Sequence, residues 1–185
     1  MNETHHYVVN HYFEENPSGH CAKLYDELKH KYGVTVIFEP GSPGDKAELL
    51  PDVRIRGEVI YLCEKKWVIK LNGLEDPDID RVISHELLHI ALRYRNRLPY
   101  ADTEKLTKNQ IIALNAVENR IIEPALNKIY GQKDHTEWGD EYEEILGKMR
   151  PYLSEISGVI TRDRYLEVLG ECLKTCGESL PPFLL

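Results

Sequence analysis

The 185-residue chain has only four cysteines, Cys21, Cys63, Cys172 and Cys176, and they are irregularly spaced. So few in a chain of this length exclude a disulfide framework and read as reduced, mostly buried thiols of a cytosolic protein. Long apolar runs are missing too. None exceeds a few residues, against the roughly 20 that a membrane-spanning helix needs. The start, Met1-Asn2-Glu3-Thr4-His5-His6, lacks the basic segment and apolar stretch of a signal peptide. These absences together predict a cytoplasmic protein with no membrane partner. Basic excess is absent as well: 23 Lys and Arg face 31 Asp and Glu, a net charge of −8 at pH 7. Sequence-independent nucleic-acid binding relies on clustered Lys and Arg that replace phosphate counterions, so nucleic acid is not an expected partner. No internal repeat or low-complexity tract is present.

What remains is ordinary globular composition, 42% hydrophobic and 29% charged. The length suits one domain, with a core over 18–130 and a helical extension over 131–185. Cys21, Leu24, Tyr25, Leu28 and Tyr32 recur at helical spacing, with Ser18 as N-cap and Gly33 as C-terminal stop. His5, His6 and His11 precede them in a polar stretch and read as solvated. The period then changes. Segment 34–38 is β-branched and aromatic, 53–56 continues past Gly57 into 59–62, and 67–71 is a further strand closed by Asn72-Gly73. These predict a small sheet of three or four strands. From Asp76 onward the pattern is helical: 77–95 behind an Asp76 cap with Pro77 in its first turn, 108–130 between a Thr107 cap and Gly131, then 140–148, 150–156 and 162–176. The order of helix, small sheet and several helices defines an α+β fold.

Ser84-His85-Glu86-Leu87-Leu88-His89 contains H-E-x-x-H inside the first of those long helices. Residues four apart on a helix are offset by about 40° and rise about 6 Å, so two imidazoles can grip one cation from the same face. Glu86 sits beside that face, within reach of a metal-bound water without being a ligand. With 8 His and 21 Glu in the chain, chance alone would place this pattern somewhere in about 4% of such sequences. Its surroundings, Ile79, Val82, Ile83, Ile90 and Ala91, are those of a buried helix. As a mere polar stripe, these three ionisable groups would need other partners.

A zinc site needs a third protein ligand. The next helix has an apolar stripe of Ile111, Leu114, Ile121, Ile122, Ala125 and Ile129, and Glu118 falls in its middle. A carboxylate on a buried face needs a cation or a hydrogen-bond donor; an ion pair with Arg93, Arg95 or Arg97 is the structural alternative. Glu123, before Pro124, lies on the more polar side. Glu118 is the favoured ligand, with Glu123 the alternative.

His85-Glu86-x-x-His89 on one helix, with Glu118 on the next, resembles the gluzincin branch of the zincin metallopeptidases. The resemblance spans roughly 34–130, and the metal motif is its specific part. It implies a zincin-like fold, Zn²⁺ held by His85, His89 and Glu118 with water as fourth ligand, Glu86 as general base, and a peptide or protein substrate. Gluzincins commonly carry Asn before the ligand Glu and Asp four after it; here Val117 and Ile122 stand there, so orientation of the histidines falls to Asn115 or Asn119. Leu92 and Arg95 occupy the positions of the metzincin Gly and third His. His135 is the remaining histidine candidate, in a polar segment. Tyr94, Tyr100 and Tyr130 are candidate oxyanion donors, and either 59–62 or 67–71 is a strand for pairing with an extended substrate. Cys172 and Cys176 share a helical face and read as core rather than as a structural zinc pair. The acidic run Glu137–Glu144 reads as a helix start with an exposed face. The apolar tail after Pro181-Pro182 either covers the cleft or docks on its own core. The alternative function is a zincin-fold regulatory or partner-binding protein with a structural metal.

Overall fold

Trp67, Val68, Ile69 and Leu71 are all buried, so both faces of this short β-branched run are covered. That is the signature of a central strand. The computed structural model describes residues 3–41, 57–100, 105–132, 140–156 and 160–184. These form two compact units, one from the described residues of 3–94 and the other from those of 95–184.

In the first unit β1 (Thr35–Pro40), β2 (Gly57–Cys63) and β3 (Lys66–Leu71) lie in the order β1-β3-β2. β1 runs parallel to β3, pairing Phe38 with Ile69, and β2 runs antiparallel, pairing Val59 with Ile69. Lys65, at φ +60°, turns β2 into β3. The sheet is therefore mixed and three-stranded; the expected strand at 53–56 lies outside the described residues.

Two helices precede the sheet. α1 (Glu3–Val8) continues as a π-helical turn, Val9–Glu14, and α2 (His20–Asp26) continues as another, Glu27–Lys31. Gly33, at φ +67°, ends the second as its sequence position predicts. The cap at the other end differs. Gly19, not Ser18, is the N-cap of α2 and makes no side-chain cap bond, while the Ser18 hydroxyl donates to Asn16 Oδ1. The expectation of a solvated His5 is also corrected: its ring stacks on Phe38, and Nδ1 accepts the Phe38 N–H at 3.3 Å. Phe13, Tyr25 and Phe38 form a ring cluster that ties both helices to β1.

α3 (Ile79–Asn96) starts two residues later than the Pro77 start that an Asp76 cap predicts. Asp76 Oδ1 accepts the Asp78 N–H at 2.9 Å, a local turn that delays the helix. Cys21 Sγ lies 3.2 Å from the Asp80 carbonyl and 3.1 Å from the buried Ser84 hydroxyl, which fastens α2 to the back of α3.

The second unit is helical. α4 (Lys108–Tyr130) has the predicted ends: Thr107 Oγ1 accepts the Gln110 N–H while Gln110 returns a bond to the Thr107 N–H, and Gly131 at φ +81° closes it. Its buried stripe is Ile111, Leu114, Glu118, Ile122 and Leu126, whereas Ala125 and Ile129 face out, Ile129 at 47% exposure. α5 (Asp140–Leu153) passes through Pro151 instead of breaking into two helices. α6 (Arg162–Thr175) is capped by Thr161, and it packs on α4 and α5. The tail docks within this unit, with Leu184 at 2% exposure and Leu180 against Gly170. Among the described residues the architecture is α+β, with six α-helices and one small sheet. No described helix is long and apolar enough to cross a membrane.

Candidate metal centre

α3 turns Ile83, Leu87, Ile90 and Ala91 inward, all fully buried. This fixes the helix's rotation and leaves His85 and His89 half-buried on the flank. The two Nε2 atoms stand 3.0 Å apart, with ring centroids 4.8 Å apart and planes at 67°. At that distance the two rings are hydrogen-bonded to each other, one Nε2 donating and the other accepting. At zinc–nitrogen distances of about 2.05 Å this separation corresponds to an N–Zn–N angle of about 94°, and about a third of an ångström more reaches the tetrahedral value. Two imidazoles at this spacing supply two of the ligands a zinc site needs, and no third is gathered with them among the described residues. The Arg93 guanidinium, itself buried, donates to the His89 carbonyl at 3.3 Å and braces the next turn.

Glu86 is buried at 8% exposure, and its carboxylate lies against the start of β2. A Cβ on Gly57 would meet Glu86 Oε1 at 2.8 Å, Cγ at 2.9 Å and Cδ at 3.1 Å. The absent side chain at 57 is the space the carboxylate occupies. Sequence reasoning missed Gly57 as part of the site and took it only as a link between strand segments. A lone glycine inside a strand pattern was the available signal, since it marks close approach by another group.

The second unit holds Glu118, at 1% exposure on the buried face of α4. The hydroxyl of Tyr165, on α6 and equally buried, donates to Glu118 Oε1 at 2.8 Å. One turn position on, Asn119 Oδ1 is buried without a hydrogen-bond partner. Glu123 is half-buried, and sits about 140° round the helix from Glu118. His135 and the start of the acidic run lie outside the described residues. His85, Glu86 and His89 thus share the first unit and Glu118 belongs to the second. Among the described residues no group of three or more His, Cys, Asp or Glu side chains is gathered as a metal-binding cluster.

The tyrosine candidates separate. Tyr94 accepts the Trp67 indole N–H at 3.0 Å and packs on Tyr32, which makes it part of the first unit's core framework. Tyr130 ends α4, about 18 Å along the helix from Glu118. Tyr165 was missed, because nothing local in the sequence says which residue of a later helix meets Glu118. Of the strand candidates, 67–71 is central and paired on both sides, while 59–62 belongs to β2, at one end of the strand order. Cys172 is a core thiol, pushed up to about 12 by burial, so it is protonated at neutral pH. Cys63, in contrast to the expectation of buried thiols, is exposed at the end of β2. Comparison with protein-family models, with curated proteins and with solved structures finds no match.

Proposed function

We propose that the chain is a zinc hydrolase and, within that class, a metallopeptidase of the gluzincin type acting on peptide bonds. The observation that carries this reading is the 3.0 Å approach of His85 and His89 Nε2 on one face of the helix that also presents Glu86. His85 and His89 would hold the ion, with the remaining ligands to come from groups not gathered with them among the described residues. A zinc ion so held lowers the pKa of bound water to about 7 and polarises a carbonyl. Glu86, seated by Gly57, takes the proton from the attacking water and passes it to the departing amine. β2 supplies backbone groups for an extended peptide. None of the four cysteines is in a disulfide, which supports a cytoplasmic setting.

The test is Glu86→Gln in the full chain, assayed for zinc content and for cleavage of a peptide library. The reading expects zinc content to hold and chelator-sensitive cleavage to vanish. A variant that cleaves at the wild-type rate removes Glu86 from the chemistry. Zinc binding without cleavage in the wild-type chain leaves the structural-metal alternative.

A further inference from the structure

We propose that α1 is a pH-gated cover on the outer edge of β1, released when the His5 imidazole takes up a proton. The device lies within the first unit and does not depend on a metal at His85 and His89. Among the described residues β1 is an end strand of the sheet, with β3 on its inner side. The Thr35 N–H donates to the Lys65 carbonyl and the Gly41 N–H to the Leu71 carbonyl, both toward β3. Backbone groups alternate in direction along a strand, so Ile37 and Glu39 also bond inward, while Val36, Phe38 and Pro40 turn theirs outward. Pro40 has no N–H to offer. The Phe38 N–H, in the middle of this edge, is taken by His5 Nδ1 at 3.3 Å. An open edge donor is a template for pairing with another chain, and covering it with a helix is one way proteins blunt that hazard.

With six residues, α1 is too short to persist by backbone propensity, so its contacts hold it in place. The His5 ring stacks on the fully buried Phe38 ring with centroids 5.9 Å apart, and Val8, one turn on, is fully buried. Accepting the Phe38 N–H requires Nδ1 to be unprotonated. A proton there turns the acceptor into a donor facing a donor, so the bond breaks and the edge N–H is left open. Burial, His6 and the chain's amino group hold the His5 imidazole below its ordinary 6.5. Glu3 and Tyr7 on α1, His11, Tyr12 and Glu14 on the π-helical turn and Glu39 on β1 are the other titratable groups of these packed elements. None of them is a cause of the shift. The released form therefore takes up its proton near pH 6.5 and the docked form only at lower pH, so acid favours release.

The experiment is amide hydrogen exchange of the full chain, followed by NMR from about pH 7.5 to about pH 5, with each rate divided by the intrinsic rate at that pH. Between pH 6.5 and the native midpoint of His5, release takes up one proton, so Phe38 protection should fall about tenfold per pH unit. Ile37 and Glu39, bonded toward β3, should keep theirs. His5→Asn offers a neutral oxygen acceptor close to the place of Nδ1, and its Phe38 protection should stay flat over the range. His6→Gln removes the charge of the neighbouring imidazole, so the His5 midpoint should rise and the total loss of Phe38 protection should shrink. This second variant also decides the matter if His5→Asn fails to fold. Level Phe38 protection in the wild type, the same fall in His5→Asn, an unmoved midpoint and loss in His6→Gln, or an equal fall at Ile37 and Glu39 overturns the proposal.

Discussion

Gly57 leaves open the volume that Glu86 fills: a β-carbon there would stand 2.8 Å from the Glu86 carboxylate oxygen. The clash falls on the far end of a flexible side chain, so substitution would move the carboxylate more than it would strain the backbone. Gly57→Ala is therefore expected to unfold at nearly the wild-type temperature and, on the proposed zinc reading, to match the wild type in metal content. Its cleavage rate should fall roughly 10- to 100-fold, the scale of an ångström's misplacement of a catalytic group. A parallel measurement of melting temperature, metal content and rate checks this. A rate loss that merely tracks a loss of fold or metal would contradict it.

His5 gives the first unit an acid sensitivity with a definite sign. Burial, helped by the neighbouring His6, holds its imidazole below the ordinary value of 6.5, and Nδ1 is engaged as acceptor for the Phe38 N–H. An unfolded chain takes up this proton near pH 6.5, whereas the native helix takes it up only at lower pH. In that window the unfolded state binds more protons, so stability falls as pH drops through 6.5, and the loss is complete below the native value. His5→Leu removes the term. Thermal midpoints at pH 7.5 and 5.5 should drop less for the variant than for wild type; equal drops would contradict the assignment.

Thr107 anchors the second unit at the start of α4. Its hydroxyl accepts the Gln110 N–H and donates to Glu178 Oε1 at 2.9 Å, while Gln110 reaches Glu178 and the Ser179 carbonyl. The cap therefore also ties down the C-terminal segment. Thr107→Ala should cost about 1 kcal/mol, the typical value for a lost cap, and Thr107→Ser clearly less. Denaturant midpoints at constant m-value measure both. Equal midpoints for Ala and wild type would make the cap energetically idle.

How legible the fold was depends on the kind of signal each segment carried. α4 could be bounded because Thr107 and Gly131 are local signals that act through adjacent backbone groups. α3 and its two histidines followed from helical spacing alone. The N-terminal helix escaped because its buried residues, Val8 and Phe13, are five apart, a spacing that suits the π-helical turn between them rather than a 3.6 period. Pro151 reads as a breaker, yet it sits in the last turn of α5, where the missing N–H costs one bond and packing of Met149 and Leu153 offsets it. Gly57 and Tyr165 act through tertiary proximity, to Glu86 and Glu118 respectively. Residues with partners 29 and 47 positions away leave no periodic trace.

The central claim is that His85 and His89 hold a metal ion. Its most direct test is the zinc content and zinc affinity of the purified chain after dialysis against metal-free buffer, beside His89→Ala. The account predicts about one zinc per chain in the wild type, with affinity collapsing in the variant. A wild-type chain that neither retains nor takes up zinc, or a His89→Ala chain that binds it equally well, would contradict the account.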